Sequence, residues 1–98
     1  MNIQETFEKY SDGESDEFLK FDRVKVKLSN RPDLHAFMLL DKIIPGSLNI
    51  VGGASHDEIW LEILPCELAE RATKEQIVEL IRCGVRYDSS VEALVMFT

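Results

Sequence analysis

The sequence predicts an α+β fold, a ferredoxin-like β-α-β-β-α-β two-layer sandwich with two helices on one face of an antiparallel sheet. Three observations predict it: two stretches of strict apolar alternation, two stretches of helical spacing with recognisable ends, and breaks rich in proline, glycine and serine between them. Alternation sends successive side chains to opposite faces of a half-buried strand, whereas recurrence every three or four residues draws one apolar stripe along a helix.

The first strand is expected over residues 21–28, with Val24, Val26 and Leu28 on one face and Arg23, Lys25 and Lys27 on the other. Ser29 and Asn30 suit a helix cap, Pro32 suits a first turn, and Asp33 complements the positive end of the helix dipole. A helix over residues 32–44 follows, stopped by Pro45-Gly46. Residues 47–51 read as a short strand and residues 58–64 as a longer one, with Ile59, Leu61 and Ile63 sharing a face. The turn formers of residues 52–57 join the two as a hairpin. Pro65 ends that strand, and residues 66–72 allow a short helical turn. Thr73-Lys74-Glu75-Gln76 is a capping box, Ile77, Leu80 and Ile81 make the buried stripe of the next helix, and Gly84 stands where a left-handed cap is favoured. Residues 85–88 are extended, Ser89-Ser90 turns the chain, and residues 92–97 form the closing strand. Right-handed crossovers then set the first and third strands at the centre of the sheet.

With 98 residues, 45% of them hydrophobic, the chain can bury a single core, since domains begin near about 50 residues. Residues 1–22 hold seven acids and two bases, and so five of the seven net negative charges. Ile3, Phe7 and Tyr10 could share a helical face, but the acidic run that follows has little to bury. Residues 1–17 are therefore expected as a partly ordered acidic arm and residues 18–98 as the domain. A net charge of -7 opposes attraction to nucleic acid and anionic lipid. No basic end precedes an apolar segment, and no run approaches the roughly 18 apolar residues of a membrane helix. A cytoplasmic protein without a membrane partner is expected. Cys66 and Cys83 lie among apolar residues with no CxxC spacing, which reads as buried free thiols.

No arrangement of nucleophile, base, metal ligands or phosphate-binding glycines stands out, and no cofactor is implied. The loop His56-Asp57-Glu58 offers an imidazole and two carboxylates, with His56 as the conceivable base, but adjacent residues rarely converge on one point. His35 lacks a helical neighbour at the spacing that shares a metal ion. Cys83 sits beside Arg82 at the negative end of a helix, which disfavours a thiolate. Gly52-Gly53 lacks the lysine or spacing of a phosphate loop and reads as a turn or bulge.

The sheet face away from the helices is more informative. Arg23, Lys25 and Lys27 are expected there opposite Glu58, Trp60 and Glu62, in cross-strand pairs of about 0.2–1 kcal/mol each. Trp60 needs cover, because an exposed indole forgoes roughly 1.5–3 kcal/mol of burial. RNA stacking is disfavoured by the acids beside it, whereas tryptophan is common at the centre of protein interfaces. The first long helix is apolar around more than one face, with Met38 and Leu39 placed to reach a second subunit. The sequence thus points to a noncatalytic protein-interaction or regulatory domain that self-associates as a homo-oligomer. A small-ligand-binding regulatory domain comes second, and a small enzyme built on His56, Asp57 and Glu58 third.

Overall fold

In the computed structural model, which describes residues 1–11, 16–46 and 49–97, helices form where the chain marks their ends. The clearest case is α4 (Lys74–Arg82): the Thr73 hydroxyl accepts from the Gln76 N–H at 3.2 Å and the Gln76 side chain accepts from the Thr73 N–H at 2.9 Å. Ile77, Leu80 and Ile81 are fully buried along its stripe, and Gly84 follows with a φ of +97°. Prolines open both α2 (Pro32–Ile43) and α3 (Pro65–Arg71), where a missing N–H costs nothing. The cap of α2 is Arg31 rather than Ser29 or Asn30, and Ser29 Oγ instead accepts from the Arg31 N–H at 3.1 Å.

Two hairpins make the sheet. β1 (Val51–Ala54) pairs with β2 (Glu58–Leu61), β3 (Val85–Asp88) pairs with β4 (Ala93–Phe97), and β2 joins β4, all antiparallel, in the order β1-β2-β4-β3. The α+β class and the antiparallel sheet are as expected, but the ferredoxin-like strand order is not found, because residues 21–28 form no strand. Phe21–Arg23 is a 3₁₀ turn whose Phe21 carbonyl accepts from the Val24 N–H at 3.0 Å, and Lys27 Nζ caps the Val24 carbonyl at 3.0 Å. These polar groups are met locally instead of by a ladder. Val24 is buried, whereas Val26 is 76% exposed.

Ser47 and Leu48, where the expected second strand begins, lie outside the described residues. Beyond them, Gly52 and Gly53 sit in β1 rather than in the turn. The reason is the neighbouring strand: a Cβ on Gly53 would come within 2.7 Å of the Trp60 ring, and one on Gly52 would strike the Glu62 side chain. The turn itself is residues 55–57, closed by the Ser55 N–H donating to the Glu58 carbonyl at 2.8 Å. One sheet face packs Leu61, Val85, Leu94 and Met96 against Leu40, Leu68, Ile77, Leu80 and Ile81, while Trp60, Val95 and Phe97 stand outside that core.

The amino-terminal segment departs most from expectation. α1 (Ile3–Ser11) packs against α3, α4 and β3, and its Ile3 and Phe7 belong to the core, Phe7 being 1% exposed. Residues 12–15 of the acidic run lie outside the described residues. Glu17, at the expected edge of the arm, is buried: its carboxylate accepts from Arg82 Nε at 2.9 Å and Nη2 at 2.6 Å, and from Arg23. Burial pushes this carboxyl's pKa up, but the hydrogen bonds from Arg82 and Arg23 outweigh it and hold the group below the usual carboxylate range. The Glu17 N–H also donates to the Tyr10 carbonyl at 2.8 Å, tying α1 to the clamp.

Phe7→Ala should therefore lower the unfolding free energy by about 3–5 kcal/mol in urea titrations, the cost of emptying an aromatic site in a closed core. An arm lying free of the core would show no change. Because Glu17 has a depressed folded-state pKa, its contribution is present above its unfolded value, near about 4.3, and is lost as pH falls through the folded one. Glu17→Gln should destabilise the protein at neutral pH and flatten the acid limb of its stability profile.

Candidate functional site

The uncovered sheet face is built from one row across all four strands: Gly53 opposite Trp60, Trp60 opposite Val95, and Val95 opposite Arg86. Gly53 lets the indole lie against its main chain, so Trp60 is half-buried by its own hairpin. Val95, flanked by Trp60 and Arg86, is completely buried although it stands outside the helix-packed core. In the adjacent row Glu58 faces Phe97. Arg86 crosses to both, pairing with the Glu58 carboxylate and placing its guanidinium 4.3 Å from the centre of the Phe97 ring. Phe97 remains 57% exposed.

Trp60 and Glu58 stand on this face as the alternation of β2 implies, and Glu62 lies close by against Gly52. Arg23, Lys25 and Lys27 do not. Arg23 serves Glu17, Lys27 lies 5.1 Å from the Phe21 ring centre, and Lys25 is exposed in the irregular stretch. The cation on the face is Arg86, which sequence reasoning missed because its place depends on pairing between distant strands. Met38 is 41% exposed, but Leu39 is buried in the core, so only the former offers free surface. The structure does not gather His56, Asp57 and Glu58: the first two are exposed in the turn, and Glu58 is held by Arg86.

A groove of about 510 Å³ borders Trp60, with Glu62, Leu64, Glu67 and Glu92 in its lining. Cys66 is exposed, contrary to expectation, because it lies in the first turn of α3 in a surface groove shared with Met1 and Asn2; Cys83 is buried, and burial together with nearby Glu79 pushes its thiol up to about 12. Among the described residues no three histidine, cysteine, aspartate or glutamate side chains group to hold a metal ion, and no helix is long and apolar enough to cross a membrane.

His35 has a role that spacing within its helix could not reveal. It is buried, its Nδ1 accepts from the Leu28 N–H at 3.0 Å, its Nε2 faces a Glu79 oxygen at 3.5 Å, and the Phe21 ring meets it edge-on at 5.7 Å. The ring pins the irregular stretch to α2 and α4. His35→Leu should strip the Leu28 N–H of its acceptor and cost about 1–3 kcal/mol of stability in urea titrations. A loss confined to a few tenths would mean that water replaces the imidazole.

Comparison of the chain with protein-family models, with curated proteins and with solved structures finds no match, so the use of this face has to be inferred from its own chemistry.

Proposed function

We infer that this chain is a noncatalytic protein-interaction domain that self-associates and uses the uncovered sheet face as its contact surface. The observation that carries this reading is the pairing of an aromatic centre with a fixed cation: Trp60 backed by Gly53, and exposed Phe97 stacked under Arg86, which Glu58 holds in turn. Tryptophan and arginine dominate binding energy at protein contacts, and side chains already locked in place lose little further entropy when a partner docks. Exposed Met38 on α2 offers a separate, smaller contact. A cytoplasmic location fits an exposed, unpaired Cys66, since reducing compartments keep such thiols free.

The groove beside Trp60 supports a second reading, a regulatory domain that takes a small ligand. The two readings separate cleanly. Trp60→Ala should leave the monomer folded by far-UV circular dichroism while weakening association in sedimentation about 30-fold, the effect of losing a hot spot worth about 2 kcal/mol. Unchanged association would remove the face from the contact. A rise in melting temperature with a library compound, lost in Trp60→Ala, would favour the ligand-binding reading instead.

A further inference from the structure

The geometry points to a second copy of this chain joined by antiparallel pairing of the two β3 strands about a two-fold axis at Tyr87; this takes from the reading above only that the chain self-associates, and the edge is a contact separate from the open face. β3 is the last strand of the sheet, and among the described residues only β4 pairs with it. Its outer N–H and C=O groups are therefore a template for another strand. The opposite edge is a poorer one, because β1 carries an irregularity between Val51 and Gly53 and bulged edges resist pairing. β3 keeps regular register over its four residues and contains neither proline nor lysine.

A groove of about 350 Å³ opens between α1 and this end of the sheet. Arg86, Tyr87 and Phe97 line it from the sheet, and Phe7, Glu8 and Ser11 line it from α1. Charge then selects the register. Arg86 and Asp88 share the uncovered face, two residues apart. A two-fold axis at Arg86 would set arginine against arginine, and one at Asp88 would set aspartate against aspartate. An axis at Tyr87 sets Arg86 against Asp88 of the second copy and Asp88 against its Arg86, two opposite-charge pairs from one self-complementary contact. Asp88 has capacity left, since it uses only Oδ1, for the Ser90 N–H and hydroxyl; Arg86 donates through Nη2 to Glu58, so it meets the second copy as a cation already fixed in place. The product is one continuous eight-stranded sheet with its two Trp60–Phe97 faces side by side.

The test is sedimentation of the full chain, of Arg86→Asp, of Asp88→Arg, and of an equimolar mixture of the two variants. Each variant alone places like charges opposite in both pairs and should raise the dimer dissociation constant at least about tenfold, whereas in the mixture every pair is opposite again and affinity should return to within about threefold of the original. Tyr87→Cys in a chain that also carries Cys66→Ser should form a covalent dimer on mild oxidation, since paired residues stand about 4.5–5.5 Å apart between Cα atoms, within disulfide reach. This decides the matter should either charge variant fail to fold. A mixture no tighter than its components, or no covalent dimer, overturns the β3 pairing. If association persists but responds only to Trp60→Ala, self-association through the open face stands and the edge contact falls; a full chain that stays monomeric at high concentration removes both.

Discussion

A carboxylate buried as deeply as that of Glu17 is tolerable only when its charge is met, and the way it is met organises the first third of the chain. Arg82 projects from the last turn of α4, where a cation also complements the negative end of the helix, and grips the carboxylate through two nitrogens. Arg23 arrives from the 3₁₀ turn, and Arg82 Nη1 donates to the Arg23 carbonyl at 3.2 Å. The Glu17 N–H reaches the end of α1, and the next backbone contact, Leu19 N–H to the Ile81 carbonyl at 3.2 Å, docks the chain on α4 again. Three elements thus converge on one residue. Removing either arginine would leave a buried charge partly unpaired, a larger penalty than the pair's net worth.

This clamp explains why the alternating stretch after it is not a strand. Alternation in residues 21–28 reports only that the segment has two faces; it becomes a strand only if its main chain pairs with a sheet. Here the main chain is met locally by the 3₁₀ turn and by Lys27, while Arg23 is committed to Glu17 and Val24 alone turns inward. Helix ends, by contrast, were legible because their signals act within four residues: the Thr73–Gln76 box, the prolines at the starts of α2 and α3, and Gly84. Gly52 and Gly53 show the limit of local reading. Their composition suggests a turn, yet their use is to admit the side chains of Trp60 and Glu62, which lie seven or more residues further along.

The candidate site divides along the same line. That Trp60 points away from the core followed from the alternation of Ile59, Leu61 and Ile63, a period-two fact available in any strand. What covers it, and which cation stands near it, depended on register between β1, β2, β4 and β3. Arg86 therefore replaces Arg23, Lys25 and Lys27 as the basic partner of Glu58. His35 escaped for a related reason: Leu28 precedes its helix and Glu79 lies on another, so no helical spacing links them.

Such a face is balanced between sufficiency and need. Val95 is fully covered by its strand neighbours, so a lone copy does not expose a continuous apolar patch, yet Phe97 stays mostly open and its position is fixed by Arg86. Two copies meeting would also bring together bodies of net charge -7 each, and apolar area alone has to work against that repulsion. Over a molecule about 30 Å across, most of this repulsion acts beyond the Debye length of about 8 Å at physiological salt and is screened. Charges in direct contact at a seam are screened far less. Were two copies to pair along β3, the alternation of Arg86 and Asp88 would favour that seam over others, while the acidic surface that remains would oppose indiscriminate aggregation elsewhere.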